Sequence, residues 1–235
     1  MTESVKSKAS MKAPIRTTAK KADGEPLIYV VDDDPAVRDA LGLLLQSVGL
    51  QCTLFDSALA FLDAYEPARH SCLVADIRMP GLSGLELQER LNEQRAEVPI
   101  IFITGHGDVP MAVNAMKSGA ADFIQKPFRD QDLLDRIHKA LDQDKERRAA
   151  RAQQKIIRER IASLTPREAE VMQRVVKGQA NKVIAMDLGV SQRTVELHRA
   201  RVMHKLKMRS LAQLVNAVGP VMGSEAPASG TSTRQ

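Results

Sequence analysis

Between residues 25 and 141, five short apolar runs alternate with five longer stretches whose apolar residues recur at intervals of three and four. The runs are Leu27–Val31, Cys52–Phe55, Leu73–Ala75, Ile100–Ile103 and Phe123–Ile124. The periodic stretches are Ala36–Val48, Ala58–Tyr65, Leu85–Arg95, Met111–Lys117 and Gln131–Leu141. Continuous apolar runs of this length read as strands buried on both faces, and a period near 3.6 reads as helix. Strand and helix alternating five times predict a parallel sheet covered by helices on both faces. Ligands of such sheets bind beyond the carboxyl ends of the strands. Function should therefore be sought among the polar residues there.

Four polar features fall at those ends. Asp32-Asp33-Asp34 follows the first strand, Asp76 the third, Thr104 the fourth and Lys126 the fifth. Carboxylates gathered at one rim repel one another unless a cation neutralises them, and hard oxygen ligands that retain water suit Mg²⁺. A carboxylate flanked by a metal, a hydroxyl and an ammonium is equipped to accept a phosphoryl group: Asp76 attacks, while Thr104 and Lys126 hold the transferring oxygens. Asp34 before Pro35 fits a helix N-cap better than a metal ligand.

The stretches Val31-Asp32-Asp33-Asp34-Pro35, Asp76-Ile77-Arg78-Met79-Pro80-Gly81, Thr104-Gly105-His106-Gly107 and Lys126-Pro127-Phe128 resemble, in order and spacing, the signatures of response-regulator receiver domains. The resemblance implies a CheY/flavodoxin-like, doubly wound (βα)5 sheet of strand order 2-1-3-4-5. It implies that Asp76 takes a phosphoryl group from a sensor histidine kinase. Mg²⁺ would be held by Asp33, Asp76 and the Arg78 backbone carbonyl, with Asp32 acting through water. The family's switch pair falls on Thr104 and Phe123, though Phe123 is also readable as an ordinary core residue. Gly105 stands where many receivers carry Ala.

Charge separates this half from the rest. Lys and Arg minus Asp and Glu give +4 for residues 1–24, −8 for 25–141 and +9 for 142–217. An acidic body joined to a basic one points to different partners, cations for the first and phosphate backbones for the second. Residues 1–24 and 219–235 lack apolar patterning and are expected to have no fixed structure. Residues 142–162, charged and free of Gly and Pro, should continue the fifth helix as a linker. The two cysteines, Cys52 and Cys72, lie in apolar contexts and read as reduced core thiols. No run of about 18 apolar residues is present, and residues 1–24 lack the apolar segment of a secretory signal; a cytoplasmic protein without membrane contact is expected.

Residues 163–218 should form four short helices. Thr165-Pro166-Arg167-Glu168 carries N-cap, first-position proline and capping-box signals together. Gly178 and Gly189 mark helix ends, and Ser191 and Ser210 mark helix starts. On the helix from Ser191 to about Lys207, Val195, Val202 and Leu206 repeat on one side and should be buried. Arg193, Glu196, Leu197, Ala200, Arg201 and His204 occupy the remainder. Two helices joined by a tight Gly-containing turn make a helix-turn-helix, although a protein-binding four-helix domain has the same pattern.

Leu164-Thr165-Pro166-Arg167-Glu168, Gly178 to Ala185 and Ser191 to His198, with Lys205-Leu206 beyond, resemble the LuxR-type helix-turn-helix. With the receiver, this is the architecture of the NarL/FixJ regulators, and the Thr104–Phe128 stretch looks most like the FixJ branch. The resemblance implies a response-regulator transcription factor rather than an enzyme. Glu196, Leu197 and Ala200 would face base edges, while Asn181, Lys182, Thr194, His198, Arg201 and Lys205, with Arg193 nearby, would meet the groove and its phosphates. Phosphorylation would expose the face of the fourth helix, fifth strand and fifth helix, pair two chains on a two-fold symmetric promoter site and bring in RNA polymerase. Two rival readings stay open. One is a constitutive DNA-binding dimer whose receiver is never phosphorylated. The other is a haloacid-dehalogenase-type phosphatase, which the Asp32/Asp34 spacing with Pro35 and Ala36 fits poorly.

Overall fold

A computed structural model describes residues 25–67, 69–105 and 109–223. Its contacts divide the chain into two compact units, the first ending at Arg147 and the second beginning at Arg148.

The first unit holds β1 (Leu27–Val31), α1 (Pro35–Ser47), β2 (Gln51–Phe55), α2 (Ala58–Ala64), β3 (Ser71–Asp76), α3 (Gly84–Glu93), β4 (Ile100–Thr104), α4 (Val109–Lys117), β5 (Asp122–Gln125) and the start of α5 (Asp130–Ala162). The five strands form a parallel sheet of order β2-β1-β3-β4-β5. Alternation along β1 sends Leu27, Tyr29 and Val31 to one face and Ile28 and Val30 to the other. The first face packs on α2, α3 and α4 through Phe61, Leu87, Leu91 and Ala115. The second packs on α1 and α5 through Leu41, Leu45, Leu133 and Ile137. Cys52 and Cys72 are both buried free thiols, and burial raises the Cys72 pKa.

Local chemistry sets most boundaries. Asp34 caps α1 by accepting from the Ala36 N–H at 2.8 Å, with Pro35 at the first helical position. The expectation that α3 reaches Arg95 needs correction. The helix ends at Glu93, and Arg95 takes a left-handed φ of 53° while the Ala96 N–H returns to the Leu91 carbonyl at 2.8 Å. That closure satisfies a terminal carbonyl and releases the chain toward β4.

The second unit contains the rest of α5, then α6 (Pro166–Val176), α7 (Asn181–Leu188), α8 (Gln192–Leu206) and α9 (Leu211–Gly223). Residues 142–162 do continue α5. The capping box of Thr165 and Glu168 opens α6, and Ser191 caps α8. Their shared core includes Ile157, Val171, Ile184, Val195, Val202, Leu206 and Leu214. Beyond Val218, where the sequence pattern of the domain ends, α9 runs on through Pro220, and Val221 is buried. An interior proline costs roughly 3 kcal/mol, but burying a valine returns roughly 1.5–3 kcal/mol, and the spacing 214, 218, 221 keeps one apolar face. Residues 1–24 and 224–235, for which no fixed structure is expected, lie outside the described residues, as do His106 and Gly107 of the receiver-like stretch. Among the described residues, no helix is long and apolar enough to cross a membrane.

Candidate functional site

The parallel register brings the ends of β1, β3 and β5 to one rim. There the Lys126 ammonium sits between two carboxylates, donating to Asp32 Oδ2 at 3.1 Å and to Asp76 Oδ1 at 3.0 Å. These partners lie 94 and 50 residues away in sequence. Asp32 is 2% exposed and Asp76 9%. Each carboxylate is also held from behind: Asp32 Oδ1 accepts from the Asp34 N–H at 2.9 Å, and Asp76 Oδ2 from the Arg78 N–H at 2.7 Å. Asp33 and Arg78 are exposed beside them. The Lys126–Pro127 peptide is cis.

The electrostatics of the rim are unbalanced. Burial pushes the Asp32 pKa up, although the Asp34 N–H and Lys126 pull it down. Burial also opposes the charge on Lys126, but Asp76 and Asp32 outweigh it and raise that pKa. A nearly buried carboxylate whose pKa stays high beside an ammonium is short of positive charge. The donor set, carboxylates with a backbone carbonyl, is the oxygen-only chemistry that Mg²⁺ prefers. Among the described residues, no three Asp, Glu, His or Cys side chains converge as a ready-made cage; Asp32 and Asp76 are instead joined by Lys126.

Thr104, 3% exposed at the end of β4, donates to the Gly105 carbonyl at 3.1 Å. Phe123 pairs with Phe102 across β4 and β5 and is half-buried against the α2–α4 side of the sheet. It is therefore not a fully enclosed core ring. Sequence reasoning missed Gly84, at the start of α3. A Cβ there would stand 2.4 Å from the Asp76 carbonyl oxygen and 2.9 Å from the Phe102 ring. Only glycine lets α3 lie this close to the strand end that presents Asp76.

In the second unit, α7 and α8 are joined by a turn through Gly189, whose φ is 66°. Val195, Val202 and Leu206 are buried, as their spacing predicts. Lys182, Arg193, Glu196, Leu197, Ala200 and Arg201 are exposed, and Asn181, Thr194 and His198 are half-buried. Leu197 is 51% exposed. The Thr194 hydroxyl pairs locally with Ser191 Oγ at 2.8 Å, and two of the expected DNA contacts are engaged by other helices. Asn181 Oδ1 accepts from Arg199 Nη1 at 2.6 Å, and Lys205 Nζ donates to Glu168 Oε2 at 2.6 Å. Neither pairing has a signal in the sequence, because the partners are 18 and 37 residues apart on different helices.

Two family models match: "Response regulator receiver domain" over residues 28–138 and "Bacterial regulatory proteins, luxR family" over residues 162–218. The chain is 49% identical over 188 residues to the transcriptional regulatory protein FixJ of Bradyrhizobium diazoefficiens, covering 80% of this chain and 92% of that protein. This chain is a response regulator of the NarL/FixJ family. It is 43% identical over 194 residues to the response regulator protein TodT of Pseudomonas putida, covering 83% of this chain and 86% of that one. Among solved structures, the response regulator StyR matches with a TM-score of 0.73 and 48% identity, covering 83% of this chain and 99% of StyR. The regulator is thus a two-component transcription regulator built from a (βα)5 receiver and a helical LuxR-type domain. The receiver implies a sensor kinase as partner, and the LuxR-type domain implies DNA. Receivers of the family generally bind Mg²⁺.

Proposed function

We propose that Asp76 is the phosphoacceptor of this regulator and that its phosphorylation governs DNA binding by α8. The observation that carries the proposal is Lys126 spanning Asp32 and Asp76 at the ends of three different strands. In the transfer step, an Asp76 oxygen attacks the phosphorus of a kinase phosphohistidine. The P–N bond breaks as the P–O bond forms, and the imidazole leaves with the electron pair and takes up a proton. Asp32, Asp33, Asp76 and the Arg78 carbonyl would hold Mg²⁺, which neutralises charge on the transferring oxygens. The backbone N–H of Arg78 and the ammonium of Lys126 orient the Asp76 carboxylate. Lys126 then exchanges a carboxylate oxygen for a phosphoryl oxygen, and the Thr104 hydroxyl leaves the Gly105 carbonyl for another.

That movement of Thr104 leaves space beside β4 into which Phe123 turns, reshaping the face of α4, β5 and α5. Val113 and Met116 on α4 are 44% and 40% exposed, and Arg136 on α5 binds Asp122 on β5 at 2.5 Å. An exposed apolar pair edged by charge suits a two-fold contact with a second copy. The paired chains would present two α8 helices to half-sites about 10 bp apart in a promoter, where RNA polymerase is met. Residues 25–141 would be the receiver, 142–162 a helical linker whose Ile157 joins the second core, and 163–218 the DNA-binding domain. On α8, Glu196, Leu197 and Ala200 would read bases; the exposed Leu197 gains a partner in a thymine methyl. Lys182, Arg193, Thr194, His198 and Arg201 would meet phosphates, with Asn181 beside them.

The test is transfer from an autophosphorylated sensor kinase carrying labelled phosphate. Label should enter the wild-type chain at Asp76 in a Mg²⁺-dependent way and should not enter Asp76→Asn. Label retained in that variant, on any other residue, contradicts the assignment.

A further inference from the structure

Lys205 stands near the end of α8 and at first sight offers a cation to the DNA backbone. Its surroundings say otherwise. The ammonium donates to Glu168 Oε2 at 2.6 Å and to the Ser163 carbonyl at 3.4 Å. Glu168 is 3% exposed, so a lysine drawn away to a phosphate would leave a nearly buried anion without its charge partner. The same Oε2 accepts the Thr165 N–H at 2.9 Å, which makes Glu168 both the partner of Thr165 in the capping box of α6 and the anchor of α8. Lys205 and the Thr165 N–H together hold the Glu168 pKa down at about 2. One residue further on, Arg160 Nη1 donates to the Leu206 carbonyl at 3.0 Å, satisfying one of the open carbonyls at the end of α8.

We infer that Lys205 is a positioning residue: its ion pair with Glu168 ties the end of α8 to the first turn of α6 and sets the angle at which α8 enters a DNA groove. The inference rests on α8 being the reading helix. Val195, Val202 and Leu206 fix the rotation of α8 about its axis, because they face the core. Apolar contacts carry no direction, so small changes of tilt cost them little. Glu196 lies nine residues before Lys205, about 13 Å along the axis at 1.5 Å per residue. A tilt of about 10° about the anchored end moves Glu196 by roughly 2 Å, beyond the tolerance of a hydrogen bond. The pair therefore protects sequence discrimination, whereas a phosphate contact would protect affinity for any duplex.

The test uses the full-length phosphorylated chain and two duplexes: the best one that the wild type selects from a randomised pool, and a scrambled duplex of the same composition. Lys205→Met should lower the ratio of the two affinities about tenfold, the size of one lost base contact, with affinity for the scrambled duplex nearly unchanged. The slope of log affinity against log salt should not change. Glu168→Gln keeps an acceptor for the capping box while removing the charge, and it should lower the ratio to a similar degree. The double variant should lose no more than either single one. If Lys205→Met prevents folding, Glu168→Gln alone decides, and preserved scrambled-duplex affinity reports that the domain is folded. A ratio unchanged in Glu168→Gln overturns the inference. So does an equal loss on both duplexes in Lys205→Met with the salt slope shallower by about 0.9, the signature of one lost phosphate contact. Failure of the wild type to prefer any selected duplex would instead sink the assignment of α8 as the reading helix.

Discussion

Lys126 in the receiver and Lys205 in the DNA-binding unit make similar contacts to nearly buried carboxylates, at 3.0–3.1 Å and 2.6 Å. Their effects on the acids differ in direction. Asp32 keeps a raised pKa because burial outweighs the help it receives, while Glu168 is driven down to about 2 by Lys205 and the Thr165 N–H. Each acid accepts from one backbone N–H, but at the rim one ammonium is shared by two carboxylates, while at the helix junction one ammonium serves one. The shared arrangement stays short of positive charge and is ready to exchange partners. The dedicated one is a lock. Similar chemistry would thus serve a phosphoacceptor site in one unit and a structural joint in the other, according to how strongly burial opposes the acid and how many acids each ammonium serves.

The largest expected difference follows substitution of the proposed phosphoacceptor. Asp76→Asn should eliminate both phosphate incorporation and phosphate-stimulated DNA binding, measured by intact mass and by titration of a labelled duplex, while leaving the Glu168–Lys205 joint intact. Next comes Gly84→Ala. A methyl forced within 2.4 Å of the Asp76 carbonyl must push strand and helix apart, costing about 2–3 kcal/mol of receiver stability and slowing phosphorylation. Urea unfolding and a phosphorylation time course measure the two effects.

Asp32→Asn gives a smaller change of opposite sign. Because burial raises the Asp32 pKa, its ionised form at neutral pH weakens the fold, and neutral asparagine should raise the receiver melting temperature by about 3 °C. The same variant should need more Mg²⁺ for phosphorylation. The smallest effect concerns acid. The folded pKa of Glu168 lies below its usual value of 4.5, so its stabilisation is present above about pH 5 and lost as pH falls toward 2. Thermal unfolding of Glu168→Gln should show a shallower loss of stability of the second unit across that range than the wild type. A steeper loss would reverse the reading of the joint.

The rim was legible in the sequence because a parallel sheet collects strand ends. Asp32, Asp76, Thr104 and Lys126 could each be placed from the run preceding them, and topology did the rest. Caps were legible for a local reason: Asp34, Thr165 and Ser191 bond to groups two or three residues away. Contacts between helices of different direction were not. Nothing near Lys205 or Asn181 announces Glu168 or Arg199, and nothing near His70 announces the fully buried Asp144 and its partner Arg147, which follow it by more than seventy residues. The end of α9 shows a local rule losing to packing, since Gly219-Pro220 reads as a stop while Val221 still has a core to enter.

One measurement bears most directly on the two units acting as a single switch. The wild-type chain is phosphorylated to graded extents with Mg²⁺ and a small phosphodonor, and each sample is divided for intact mass and for titration of its selected duplex. Affinity should climb in step with the fraction of chains carrying a phosphoryl group and stay flat in Asp76→Asn. Complete phosphorylation with no change in affinity would contradict the account.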